Sequence, residues 1–289
     1  MVIPAYLPLN DLTNWNIIKE GAAFMRTGSN PAIKDYWVAV NSGSNGPFTD
    51  ATEWPKAAAV WNPIRANGGR IFGYVHTCVE PAGPTFRSLD AVKAEITAWI
   101  AGYPQLDGIW LDEYYPRFEL ASTDGVRGPN YPNGVNAAPT DRGFVNSINE
   151  FNGVQVLPAG GHYDQLTQWI RTTYPQLRII GNAGGAFYSN QTNYGDLVDL
   201  LVSFEQNVDT AANAPTNDWS NLNRQITKAG SKQLALIHRN DSYLDAAINQ
   251  SFSRGYTHVF TTNRKLENNL WGGLPTYFTT EVQFLANLP

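Results

Sequence analysis

Eight short apolar runs, each bounded by turn residues and interleaved with amphipathic stretches, constrain this 289-residue chain more than any other feature. They read VIPAYL from Val2, YWVAVN from Tyr36, RIFGYVHT from Arg70, LDGIWLDE from Leu106, LRIIGN from Leu177, DLLVSFE from Asp199, QLALIH from Gln233 and HVFTTN from His258. Their β-branched and aromatic content marks buried strands, which in a parallel sheet are apolar on both faces. Between them, AVKAEITAWIAGY, YDQLTQWIRTTY and YLDAAINQSFSRGY repeat apolar residues three and four apart, as in Val92, Ile96, Trp99 and Ile100. That spacing gives a helix one buried side. Alternating strands and helices imply right-handed crossovers and a parallel sheet, and eight such units close into an α/β (β/α)8 barrel of TIM type, a single domain over residues 1–289. The rival, an open doubly wound sheet, would carry a GxGxxG turn after its first strand, and none is present.

The rhythm breaks once. Residues 114–161 separate the fourth strand from its helix, rich in Pro, Gly and Asn (RGPNYPNGVNAAP) with a helical turn expected around TDRGFVNSINEF. A long loop after strand 4 of a barrel rises over the face that holds the active site, so it is expected to wall a cleft.

Hydrophobic residues make up 43% of the chain and charged residues 16%, which fits a globular protein with a large core. A formal net charge of −5 and no run of Lys or Arg exclude an electrostatic grip on nucleic acid or on an anionic membrane. No apolar stretch is long enough to span a bilayer. The lone cysteine, Cys78, has no disulfide partner within the chain, and there is no zinc-type Cys/His spacing, so it is expected to pack near a strand end. The amino terminus, MVIPAYLPLN, enters a strand without the charged and apolar regions of a signal peptide, so an exported protein would use a leader outside this sequence or another route.

When the eight strands are aligned on their C-terminal ends, polar side chains cluster there. Tyr6 closes the first strand, Asn41 the second, Tyr74 and His76 the third, Asp112 and Glu113 the fourth, Asn182 the fifth, Glu205 the sixth, His238 the seventh, and Thr262 with Asn263 the eighth. Ionisable groups ending apolar strands are costly to bury without purpose, and on the C-terminal face of a barrel they read as catalytic; on the other face they would be structural. Cleavage of a glycosidic bond uses two carboxyl groups, an acid with a raised pKa and a second carboxylate that acts as nucleophile or activates water. Adjacent strand residues point to opposite faces, so Asp112 and Glu113 face a substrate alike only if the strand is ending, and one of them is expected to pair with Glu205. Aromatic faces stack on sugars, and Tyr114, Tyr115, Tyr163 and Tyr188 are candidate platforms. Trp99, Trp110 and Trp169 are expected in the core or barrel wall.

The segments VIPAYLPLNDLTNW, AVNSGSNGP, IFGYVHT, LDGIWLDE and LVSFEQN, in this order over most of the chain, resemble the strand-end motifs of the spherulin-4-like proteins, glycoside hydrolase family 135. The resemblance implies an endo-acting barrel hydrolase that cleaves α-1,4-linked galactosamine or N-acetylgalactosamine exopolysaccharide with retention, secreted and monomeric, without cofactor or metal. It implies Asp112 as nucleophile, Glu205 as general acid/base and Glu113 as a supporting carboxylate. Tyr6, Asn41, Tyr74, His76, Tyr114, Asn182 and His238 would line the substrate site. Two other readings stand beside it: a non-catalytic carbohydrate-binding or structural barrel, and a metal-dependent deacetylase using His76, Asp112, Glu113 and His238, which lacks the ligand spacing of HxH, HxxE or HExxH.

Overall fold

A computed structural model describes residues 1–29, 35–41, 45–79, 85–114, 149–151, 154–156, 162–182, 197–207, 232–240, 244–265 and 269–288. Each of the eight runs forms a strand: β1 Val2–Ala5, β2 Trp37–Val40, β3 Arg70–His76, β4 Gly108–Asp112, β5 Arg178–Asn182, β6 Leu200–Asn207, β7 Lys232–His238 and β8 His258–Thr261. They hydrogen-bond in sequence order as one all-parallel, eight-stranded sheet. Helices α1 Leu12–Thr27, α2 Glu53–Ala66, α3 Leu89–Gly102, α4 His162–Thr173, α5 Leu244–Ser253 and α6 Phe278–Ala286 lie between and after them. The architecture is the (β/α)8 barrel that the alternation predicts. Among the described residues no ladder joins β8 to β1, so the barrel has a seam there.

Three of the strands, Val2–Ala5, Trp37–Val40 and His258–Thr261, are buried from end to end and leave no solvated face, and the apolar runs supply what that requires. Inside, Trp37 stacks on Phe72 with ring centroids 4.9 Å apart, and Arg178 lies 5.5 Å over the Trp37 ring. Outside, α3 buries Val92, Ile96 and Trp99, the predicted stripe. The Trp99 ring presses on Gly73, where a Cβ would collide with the indole, and its N–H donates to the Tyr74 carbonyl at 2.8 Å. Trp169 is only partly buried and takes Lys93 over its ring. Local signals start the helices: Asp11 accepts the Asn14 N–H ahead of α1, and Ser88 accepts the Ala91 N–H ahead of α3.

Two short antiparallel pairs decorate the barrel, Cys78–Val79 with Thr85–Phe86 and Asn149–Phe151 with Val154–Val156. Of TDRGFVNSINEF, where a helical turn is expected, only the last three residues are described, and they are strand. The rest of the predicted cleft wall lies outside the described residues.

Candidate active site

Alternation along β4 puts Trp110 and Asp112 on the same face, and the Trp110 indole N–H points along the strand to Asp112 Oδ1 at 3.3 Å. Register with β3 pairs His76 with Asp112 and Tyr74 with Trp110, which brings the Tyr74 hydroxyl to Asp112 Oδ2 at 2.7 Å. Tyr6, from the end of β1, meets Tyr74 edge-on with centroids 5.2 Å apart. Trp110 is thus more than barrel wall.

Glu205 arrives by a different device. The β6–β7 register slips between Val202 and Phe204, leaving Ser203 as a bulge whose hydroxyl bonds Gln233 at 2.8 Å. Bulges re-aim the residues beyond them. Here the strand is turned just before its carboxylate. Between the two carboxylates stands Asn182, the last residue of β5. Its Nδ2 donates to Asp112 Oδ1 at 2.7 Å and to Glu205 Oε2 at 2.9 Å. The two accepting oxygens are therefore no farther apart than those bonds laid end to end, about 5.6 Å.

Burial raises the Asp112 carboxyl above its ordinary range, opposed by hydrogen bonds from Tyr74, Trp110 and Asn182. Glu205 is pushed up to about 7 by burial and then by the charge of Asp112, against hydrogen bonds from Asn182 and Trp271. Three donors on Asp112 against two on Glu205 favour one negative charge on Asp112 and one proton on Glu205 near neutrality. Burial, then the Asp112 charge, raises the Tyr74 and Tyr6 phenols well above their usual range, so both stay protonated.

The strand ends at Asp112, and Glu113 turns into the left-handed region at φ 52°. Non-glycine residues there are uncommon and costly. The turn is locked from behind: Thr77 Oγ1 bonds the Asp112 carbonyl at 2.7 Å, the Tyr163 hydroxyl donates to the Glu113 carbonyl at 3.0 Å, and the Tyr114 N–H donates to the Asn182 carbonyl at 2.6 Å. The Glu113 side chain swings to β3 and pairs with His76 Nε2 at 2.8 Å, and that hydrogen bond raises the His76 pKa. Arg87 holds the His76 carbonyl at 2.9 Å and pairs with Glu95.

Two sequence expectations change. Tyr114 and Tyr163 are fully buried with ring centroids 4.3 Å apart, and a Cβ on Gly181 would strike Tyr114. Neither offers a face to a sugar; both brace the Glu113 turn from the buried side. Tyr115 and Tyr188 lie outside the described residues. Asn41 follows β2 and lines a cavity of about 610 Å³ with Leu7, Pro8, Phe48 and Trp61, and His238 ends β7. Trp271 is the residue that sequence reasoning missed. It follows the last strand, where no periodicity marks it. Among the described residues no three His, Cys, Asp or Glu side chains gather as a metal would require.

No protein-family model matches the chain. Over 110 residues, 37% of its length, it is 34% identical to Spherulin-4 of Physarum polycephalum; the match spans 28% of that protein. Among solved structures, Aspergillus clavatus Sph3, crystallised in complex with GalNAc, superposes with a TM-score of 0.63 at 16% identity, covering 99% of this chain and 97% of that one. An Anoxybacillus α-amylase superposes with a TM-score of 0.51 at 9% identity, covering 98% of this chain and 72% of that one. Active domain 2 of a Pyrococcus furiosus chitinase gives 0.50 at 8% identity, covering 99% and 94%. The chain is related in sequence to Spherulin-4 over that stretch and shares the barrel fold of Sph3.

Proposed function

We propose that the chain is a retaining glycoside hydrolase of the spherulin-4-like kind, a single catalytic domain that cleaves α-1,4-linked galactosamine or N-acetylgalactosamine polymers as a monomer outside the cell. The observation that carries this reading is the Asn182 amide, hydrogen-bonded to Asp112 and Glu205 at once. Retaining hydrolases hold their carboxyl groups about 5–5.5 Å apart and inverting ones about 6.5–9.5 Å. An upper bound of about 5.6 Å supports retention. Substrate class follows from the motifs shared with the family and from a relative of the same fold that binds GalNAc. Among the described residues no helix is long and apolar enough to cross a membrane.

In this reading Asp112 attacks the anomeric carbon as Glu205 gives its proton to the departing glycosidic oxygen. Glu205, now ionised, takes a proton from water, whose oxygen displaces Asp112 and regenerates both groups. Tyr74, Trp110 and Asn182 keep Asp112 ionised and aimed, and burial keeps Glu205 protonated until the leaving oxygen needs it. Glu113, set back on His76, acts on the sugar's nitrogen substituent or on the field at Asp112.

The test is release of soluble oligosaccharide from α-1,4-galactosaminoglycan, with proton NMR of the first-formed reducing ends. The wild type should yield α-anomers. Glu205→Gln should lose about 10²–10⁴-fold in rate, and Asp112→Asn should leave no turnover. Binding without release by the wild type would sink the hydrolase in favour of a carbohydrate-binding barrel, and β-anomers would sink retention.

A further inference from the structure

Two carboxylates on adjacent residues repel each other, and each raises the proton affinity of its neighbour. A nucleophile needs the opposite, a carboxylate that stays ionised. The Glu113 turn relieves that conflict. Its backbone enters the left-handed region at φ 52°, and the side chain leaves Asp112 for His76 Nε2, 2.8 Å away. Asp112 is taken up by other partners: Tyr74 at 2.7 Å, Asn182 at 2.7 Å and Trp110 at 3.3 Å. The His76 and Glu113 side chains are 19% and 17% exposed, so solvent screens this ion pair less than one on the surface.

His76 is held where the pairing requires it. It is the last residue of β3, in register with Asp112. Its carbonyl accepts from Arg87 Nη1 at 2.9 Å, and Arg87 is itself tied to Glu95 of α3 and, by its main-chain N–H, to the Thr77 carbonyl at 3.1 Å. The imidazole lies nearly parallel to the Tyr74 ring, with 16° between the planes and 6.5 Å between centroids. Across the pair, Thr77 Oγ1 lies 2.7 Å from the Asp112 carbonyl, 3.0 Å from that of Glu113 and 2.8 Å from the Tyr163 hydroxyl. The turn that carries Glu113 to His76 cannot relax without breaking those bonds.

We propose that His76 is a positioning residue for the nucleophile: its imidazolium cancels the Glu113 charge beside Asp112, so that Asp112 ionises without opposition from its neighbour. The inference rests on Asp112 being the nucleophile, and it assigns Glu113 to the field at that carboxylate. The titratable and charged groups facing His76 are Glu113 and Asp112 at the end of β4, Tyr74 of β3, and Arg87. Tyr74 stays protonated, and Glu95 offsets Arg87. Asp112 also faces Glu205, which still holds its proton over the range in which Asp112 ionises. Glu113 is therefore the charge that His76 answers, and an imidazole beside a carboxylate keeps its proton through that acidic range.

The test is a carbon-13 NMR titration of the Asp112 carboxyl in the full chain, assigned by its loss in Asp112→Asn. His76→Gln keeps a donor for Glu113 and deletes the charge, and it should raise the Asp112 midpoint by about one pH unit. Adding Glu113→Gln to that variant removes the opposing charge and should return the midpoint to its wild-type position. Damage to structure alone would be compounded by the second substitution, not reversed. Glu113→Gln by itself leaves the imidazolium uncompensated and should lower the midpoint, and the acid limb of kcat/KM should follow Asp112 in each variant. An unmoved midpoint in His76→Gln, or a shift that the double variant keeps, overturns the proposal. Should His76→Gln not fold, Glu113→Gln decides, and an unmoved midpoint there overturns it equally. A wild type that releases no oligosaccharide refutes the proposed function, and the Asp112 titration still decides what His76 does.

Discussion

The two ends of the barrel treat carboxylates in opposite ways. At the N-terminal end Asp107, just before β4, accepts the Ile71 N–H of β3 at 2.9 Å and both arms of Arg65 from α2 at 2.8 and 3.0 Å. Asp199, just before β6, repeats the device with the Ile179 N–H of β5 at 2.8 Å and Arg171 of α4 at 3.4 Å. Asp35, before β2, faces His258 and Lys232, and the His258 hydrogen bond holds it well below the usual carboxylate range. At the C-terminal end, among the described residues, Asp112 and Glu205 are held by neutral donors: a phenol, an indole and an amide. A cation fixes a carboxylate in one charge state, whereas neutral donors hold its position and leave burial to set its proton affinity near the working pH. The N-terminal end uses carboxylates to tie strands to helices. The other end keeps them available for proton transfer.

Substitutions at each end test that contrast. Asn182→Ala removes the one donor common to both carboxylates, and kcat/KM should fall roughly 10²–10³-fold while thermal melting shows the fold retained. Asp107→Ala should do the converse. Loss of the Ile71 and Arg65 hydrogen bonds is expected to remove about 1–3 kcal/mol, a drop in Tm of roughly 2–4 °C per kcal/mol at this size, with kcat/KM unchanged; a fall in kcat/KM matching that of Asn182→Ala would erase the distinction. Glu281 offers the smallest and most specific effect. This buried carboxyl of α6 accepts the Thr261 N–H at 2.8 Å, and burial pushes it up to about 8. The folded chain therefore holds a proton that the unfolded chain releases. That contribution is complete below the ordinary glutamate pKa and is lost as pH rises toward about 8. Glu281→Gln should melt higher than the wild type at pH 8.5 and converge with it near pH 4; the same difference at both pH values would show that charge is not the cause.

The barrel was legible because burial on both faces of a parallel sheet forces the apolar runs that mark its strands, and all eight appear in the expected order. The expected alignment of strand ends also brings Tyr6, Tyr74, Asp112, Asn182 and Glu205 into one cluster. What stayed hidden depends on local geometry. The Ser203 bulge has no composition of its own. The Glu113 turn is set by Thr77 and Tyr163, residues distant in sequence, so Tyr114 and Tyr163 looked like sugar platforms. Trp110 could have been found from alternation alone, since a donor two residues before a strand-end Asp shares its face. The Asp that precedes β4 and the one that precedes β6 were also visible, as repeated acids at strand starts. Trp271 had only the neighbouring Gly-Gly to signal a packed loop.

The single amide nitrogen held by Asp112 and Glu205 has a consequence for how this site stores protons. Groups coupled this closely share their titration: the pair behaves as one diprotic acid, and its two macroscopic constants belong to neither residue. Converting either carboxyl to its amide turns that acid monoprotic, so the survivor should ionise more readily than it does in the intact pair.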